Sequence, residues 1–157
     1  MSGSCHEPWP CSLRKQLVDG IDSVDSLKLL EKIDHAAASC GKVMPVLFEF
    51  NTSGEEAKSG FLTEEDLFAA VDALPSLPHV AIKGLMTVGP LGGDQEKNKE
   101  AFEHLVRLKS ECEKRHPELD FSELSMGMSG DFETAIACGS TMVRVGTKIF
   151  GPRNYSV

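Results

Sequence analysis

Two short stretches near the C-terminal end carry side chains that could act on one ligand. The first, Met126-Gly127-Met128-Ser129-Gly130-Asp131, sets a hydroxyl between two glycines where a strand gives way to a helix. Glycines let the backbone approach a bound group, and a helix start presents unpaired N–H donors. The second, Arg144-Val145-Gly146-Thr147, repeats the recipe at the end of the next strand, with a cation, a glycine and a hydroxyl. Together they outline an anion site. Adjacent strand ends of this kind match the phosphate site built by the last two loops of many (β/α)8 barrels. A plainer reading stands beside it: Gly/Ser-rich junctions also turn the chain and cap helices. An arginine such as Arg144 is equally at home in a surface ion pair. The residues alone leave both readings open.

Other reactive side chains say less. There are five cysteines and no C-x-x-C pair. Cys40, Cys112 and Cys138 fall inside regular segments and read as small buried thiols. Cys5, His6 and Cys11 are close enough to suggest a metal, but no second cluster completes the four ligands zinc requires.

The elements that must position these residues alternate along the chain. Residues 1–16, with Pro8, Pro10 and the single tryptophan Trp9, show no periodicity and are expected to be an irregular lead-in to a domain over 17–157. Leu17 to Ile21 reads as a strand edge. Ser26 caps a helix carrying Leu27, Leu30, Ile33 and Ala37 inward and ending near Gly41. Val46 to Phe50 is strand-like, and Thr63 opens a helix with Glu64, Glu65 and Asp66 in its first turn and Pro75 as its stop. A strand within Val80–Val88 ends near Met86, and a long helix follows from Asp94 to Arg115. Phe121–Ser125 is expected as a strand, Asp131–Ala137 as a helix closed by Gly139, and Met142–Val145 as the last strand before a short turn, Ile149-Phe150-Gly151. Five strands with four intervening helices mean parallel strands covered by helices. Both an open doubly wound sheet and part of a (β/α)8 barrel fit, although no G-x-G-x-x-G follows the first strand and a whole barrel needs roughly 200–250 residues.

Composition excludes some partners. A net charge of −8 opposes non-specific binding to nucleic acid and acidic lipid. No apolar run reaches membrane-spanning length, and the N-terminus lacks the pattern of a secretory signal, which makes the cytoplasm the expected compartment.

The string LSMGMSGDFETAIACGSTMVRVGTKIFGPRNY at 124–155 closely resembles the terminal signature of the pyridoxal 5′-phosphate (PLP) homeostasis family, the YggS/PROSC type. FEFNTSGEEAKSGF at 48–61 resembles that family's fifth-strand motif, Lys83-Gly84-Leu85-Met86-Thr87 its sixth, and Ile21-Asp22-Ser23 the end of its fourth. The resemblance implies part of the single-domain barrel that also forms the PLP domain of alanine racemase, here strands four to eight. It implies an intracellular, non-catalytic PLP carrier. The alternatives are a PLP-dependent racemase or decarboxylase on the same barrel, and an inactive truncated chain. Such enzymes take an acid–base partner from a second, β-rich domain, and the only tyrosine here is Tyr155.

Carried over position by position, the family's phosphate contacts fall on Ser129, Gly146 and Thr147. Arg144 falls on the arginine that faces the pyridine nitrogen and weakens the cofactor as an electron sink. Met126 and Asn51 are expected at the same mouth, and Lys148 stands where a small residue is usual. The lysine that forms the family's Schiff base belongs to a first βα unit with no counterpart here; Lys15, Lys28 and Lys32 do not inherit its role. PLP binding is therefore expected to be weak or absent. A five-strand remnant is further expected to self-associate through its open edges, with Leu47, Leu85 and Val143 uncovered on the barrel side.

Overall fold

The computed structural model describes residues 18–55, 58–92 and 94–152. The irregular lead-in, Leu17, the Cys5/His6/Cys11 group and Tyr155 lie outside the described residues. Five parallel strands form one sheet in chain order: β1 (Ile21–Val24), β2 (Met44–Glu49), β3 (Val80–Met86), β4 (Glu123–Met128) and β5 (Met142–Arg144). Between them run α1 (Leu27–Ala38), α2 (Glu64–Ala73), α3 (Gln95–Arg115) and α4 (Phe132–Ala137), and a single turn, α5 (Thr147–Phe150), follows β5. This is a half-barrel of α/β type, with β1 and β5 as the edges of the described sheet.

Local chemistry explains the helix starts. Ser26, Thr63 and Asp94 each accept a backbone N–H from the first turn, at Leu29, Asp66 and Lys97 respectively. The acidic trio Glu64, Glu65 and Asp66 then meets the positive end of α2. One side of the sheet packs on the helices. Val24, Val46, Phe48, Leu85, Leu124 and Met126 contribute from the strands; Leu30, Leu67, Phe102, Leu105 and Ala135 contribute from the helices.

The largest differences from the sequence reading lie in two strands. The first strand is Ile21–Val24, because Val24 opposite Phe48 is the residue that reaches the core. The fourth runs to Met128, three residues beyond the expected end at Ser125, because β5 pairs with it at Ser125 and again at Met128. Its glycine reads as a turn in sequence, yet Gly127 stays in the strand at φ 95°, letting α4 pack against it. A Cβ there would lie 2.6 Å from that of Ala135.

Register carries one further correction. Val46 pairs with Ile82 but Leu47 with Gly84, so Lys83 is an extra residue in β3. This bulge reverses the side-chain alternation. Val80 and Ile82 face the helices before it, and Leu85 does after it. Leu85 is therefore core, not the barrel-side residue expected. Leu47 is buried as well, and of the three residues expected to be uncovered only Val143 is, at 36% exposure.

Candidate functional site

Beyond the bulge, the C-terminal ends of three strands share a rung: Glu49 pairs with Met86, and Met86 with Ser125. The preceding rung links Phe48, Leu85 and Leu124, all in the helix-packed core. Alternation therefore turns Glu49, Met86 and Ser125 to the opposite, barrel-side face. Glu49 is only 5% exposed, and the Ser59 hydroxyl donates to its Oε1 at 2.7 Å.

Arg144, at the end of β5, lies across this layer. Its Nη1 donates to the Ser125 carbonyl oxygen at 3.0 Å and to Ser125 Oγ at 2.7 Å, and its Nη2 donates to the Thr87 carbonyl oxygen at 2.7 Å. Ser125 and Thr87 are both fully buried. The surface ion pair considered for Arg144 is thus replaced by neutral acceptors on two neighbouring strands. Burial pulls the guanidinium below its ordinary pKa, while the charges of Glu49, Asp22 and Asp131 pull it back up. An arginine so placed keeps its proton.

The two chemistry-bearing stretches meet through Ser129. Its Oγ accepts the backbone N–H of Gly146 at 3.2 Å and that of Lys148 at 3.3 Å. The turn beneath it is fixed by Asp131, whose Oδ1 accepts the Met128 N–H at 2.6 Å. Gly146 and Thr147 are exposed, and a Cβ added at Gly130 or Gly146 would meet nothing within 4 Å. Two convergent N–H donors, a hydroxyl and open space beside them can accommodate an oxyanion.

Two expected residues are not brought to this cluster. Met126 shares its face with Leu124 and is fully buried in the helix-packed core, because alternation from Ser125 turns it away from Arg144. Asn51 stands at the end of β2, but its amide is consumed by its own loop. Nδ2 donates to the carbonyl oxygens of Glu55 and Lys58, and Oδ1 accepts from Ser53 Oγ and the Gly54 N–H. That accounts for all four of its hydrogen bonds.

Several contributors were missed. Glu49 had a signal, a carboxylate inside the apolar run Val46–Phe50. Thr87 had a weaker one, and its hydroxyl donates to the Phe50 carbonyl and meets Thr52 Oγ1 at 2.9 Å. Lys58 had none. It joins two mouth loops by reaching Glu55 Oε1 at 2.9 Å and the Gly89 carbonyl at 2.8 Å. Lys58 and the Leu91 N–H together hold the Glu55 carboxyl below its usual range. Among the described residues no group of three His, Cys, Asp or Glu side chains could hold a metal ion. No helix among them is long and apolar enough to cross a membrane.

Comparison with known proteins agrees with this fold. The family model "Alanine racemase, N-terminal domain" matches residues 12–154. The pyridoxal phosphate homeostasis protein of Vibrio alginolyticus is 41% identical over 138 residues, covering 88% of this chain and 58% of the relative. Its counterpart in Mus musculus is 41% identical over 140 residues, covering 87% and 51%. The chain thus spans little more than half the length of these relatives. Among solved structures, PipY of Synechococcus elongatus PCC7942 with PLP bound superposes with a TM-score of 0.79 at 33% identity, over 91% of this chain and 68% of that one. Parallel strands in this order, the paired loops at their ends and the matched span lead to one assignment: the chain belongs to the alanine racemase N-terminal domain family.

Proposed function

We propose that this chain supplies the phosphate-holding part of a non-catalytic PLP carrier that serves cofactor homeostasis in the cytoplasm. The five strands correspond, in this reading, to strands four to eight of the relatives' barrel. The observation that carries it is the convergence of the Gly146 and Lys148 N–H groups on Ser129 Oγ. A phosphate takes those two donors, the Ser129 hydroxyl turns to donate in its place, and Thr147 adds a second hydroxyl at the rim. PLP, when bound, supplies an electron-poor ring and an aldehyde. Arg144, already fixed by Thr87 and Ser125, meets the ring nitrogen with a permanent positive charge and so keeps that nitrogen unprotonated. Glu49, Ser125 and the arginine line the face on which the ring would rest.

A titration of the chain with PLP, pyridoxal and inorganic phosphate tests the reading. PLP binds weakly, inorganic phosphate competes with it, and Ser129→Ala weakens both. Pyridoxal binding as tightly as PLP would refute a phosphate-led site.

A further inference from the structure

We propose that Lys148 is a specificity residue of this site, the mobile cation that lets an acidic loop accept a phosphate dianion. The inference rests on the phosphate reading above and goes beyond it, since the N–H donors alone do not address charge. Asp131 and Glu133 lie within four residues of Ser129, and Asp131 is locked there by the Met128 N–H. A dianion beside Ser129 shares its loop with these carboxylates. Arg144 is the other cation of the two loops, and its Nη1 and Nη2 are committed to Ser125 and Thr87.

Lys148 is placed differently. Its backbone N–H is one of the two donors to Ser129, which anchors the residue at the site. Its Nζ stands 4.5 Å from the centroid of the Phe132 ring. Among the described residues the nearest carboxylate oxygen, Glu133 Oε1, is 3.8 Å away, outside hydrogen-bond range. The side chain is more than half exposed. It also borders an open groove of about 1040 Å³ between α3 and α4. A cation resting on an aromatic face at an exposed position is held weakly, and a four-carbon stem can redirect it. Parked over Phe132, the ammonium offsets Glu133. Swung towards Ser129, it offsets the phosphate. Ligands that lack the phosphate gain nothing from either position.

Amide chemical shifts of Gly146 and Lys148, followed in the full chain during titration with inorganic phosphate, provide the test, with PLP and pyridoxal in parallel. Lys148→Met keeps the stem and removes the charge. It is expected to weaken phosphate and PLP binding about three- to tenfold at low salt, leaving pyridoxal unchanged. Lys148→Arg is expected to restore most of the loss. The unmodified chain should itself lose phosphate affinity as ionic strength rises, which no folding defect can mimic. Thermal unfolding of each variant checks the fold, with Lys148→Gln as a second neutral replacement. If both neutral variants bind phosphate like the unmodified chain while Ser129→Ala does not, the role of Lys148 is overturned and the phosphate site stands. If Ser129→Ala also binds normally, or the unmodified chain binds no phosphate, the site itself is overturned and the proposal falls with it.

Discussion

Arg144 and Thr87 are 57 residues apart, yet the arginine Nη2 donates to the threonine carbonyl oxygen at 2.7 Å, passing over the end of β4. The Thr87 hydroxyl continues the line by donating to the Phe50 carbonyl oxygen. One polar thread therefore ties the ends of β5, β4, β3 and β2. Removing its head leaves the buried Thr87 carbonyl oxygen and Ser125 Oγ without the guanidinium, while the Ser125 carbonyl oxygen keeps the Thr87 N–H. Arg144→Ala is expected to lower unfolding free energy by about 1–3 kcal/mol. Urea denaturation should show a lower midpoint with an unchanged slope. A midpoint equal to that of the unmodified chain would show that water replaces the guanidinium without cost.

Gly84 of β3 pairs with Glu123 of β4. A Cβ there would lie 1.8 Å from the Glu123 carbonyl oxygen, which is backbone and cannot swing aside. Gly84→Ala must push the two strands apart and is expected to cost roughly 3 kcal/mol or more. Gly130→Ala, which meets nothing within 4 Å, should change stability by less than about 0.5 kcal/mol. Equal melting temperatures for the two variants would contradict this account.

His116 joins three segments near the C-terminal end of α3. Its Nδ1 meets Glu118 Oε1 at 2.8 Å and its Nε2 meets Asp72 Oδ1 at 3.0 Å. Hydrogen bonds that the imidazole donates to Glu118, then to Asp72, raise its pKa, and the same contact with His116 lowers that of Glu118. For the histidine, the stabilisation is complete below its unfolded pKa and fades as pH rises through the raised folded value. For Glu118 it is complete above the unfolded pKa and fades as pH falls through the lowered one. Stability from the bridge should therefore decline on the alkaline side of about pH 6.5. His116→Gln is expected to flatten that decline in denaturation curves recorded from pH 5 to 9. A pH profile identical to the unmodified chain's would rule the bridge out as its source.

The edge at β5 is expected to pair with another copy. Met142 and Val143 are each 36% exposed, and beside them Ile149 and Phe150 are largely exposed, Phe150 at 85%. An unpaired parallel strand beside apolar side chains favours association. Light scattering should show a mass that rises with concentration, and Val143→Lys together with Phe150→Lys should reduce it. A monodisperse monomer across the range would count against an active edge.

Much of this was legible in sequence because it is local. Caps at Ser26, Thr63 and Asp94, the acidic start of α2 and the core positions of α1 follow from neighbouring residues alone. The joining of Ser129 to Gly146 was foreseeable from two matching strand ends and from the family resemblance. Positions that depend on register were not. Leu85 was assigned to the wrong face because a one-residue insertion leaves no periodic trace in a short apolar run, and Met126, expected at the mouth from the resemblance, follows Leu124 into the core by plain alternation. Asn51 has the residue type of a ligand, but its hydrogen bonds are spent within the chain, and that accounting needs coordinates. Glu49 was visible as an oddity in an apolar strand; only its rung with Met86 and Ser125 shows which side it serves.

The bulge at Lys83 divides β3 into two functional territories. Before it, even-numbered side chains support the helices, and substitution there alters folding alone. After it, the parity inverts, so that Met86 looks into the mouth and Leu85 holds the strand from behind. Were the strand to run through Lys83 without the bulge, those duties would be exchanged, sending a thioether into the packed layer and a leucine into the mouth. The half-barrel would keep its order of strands, but a leucine would stand on the rung between Glu49 and Ser125, so the lining of the mouth hangs on a frame one residue wide.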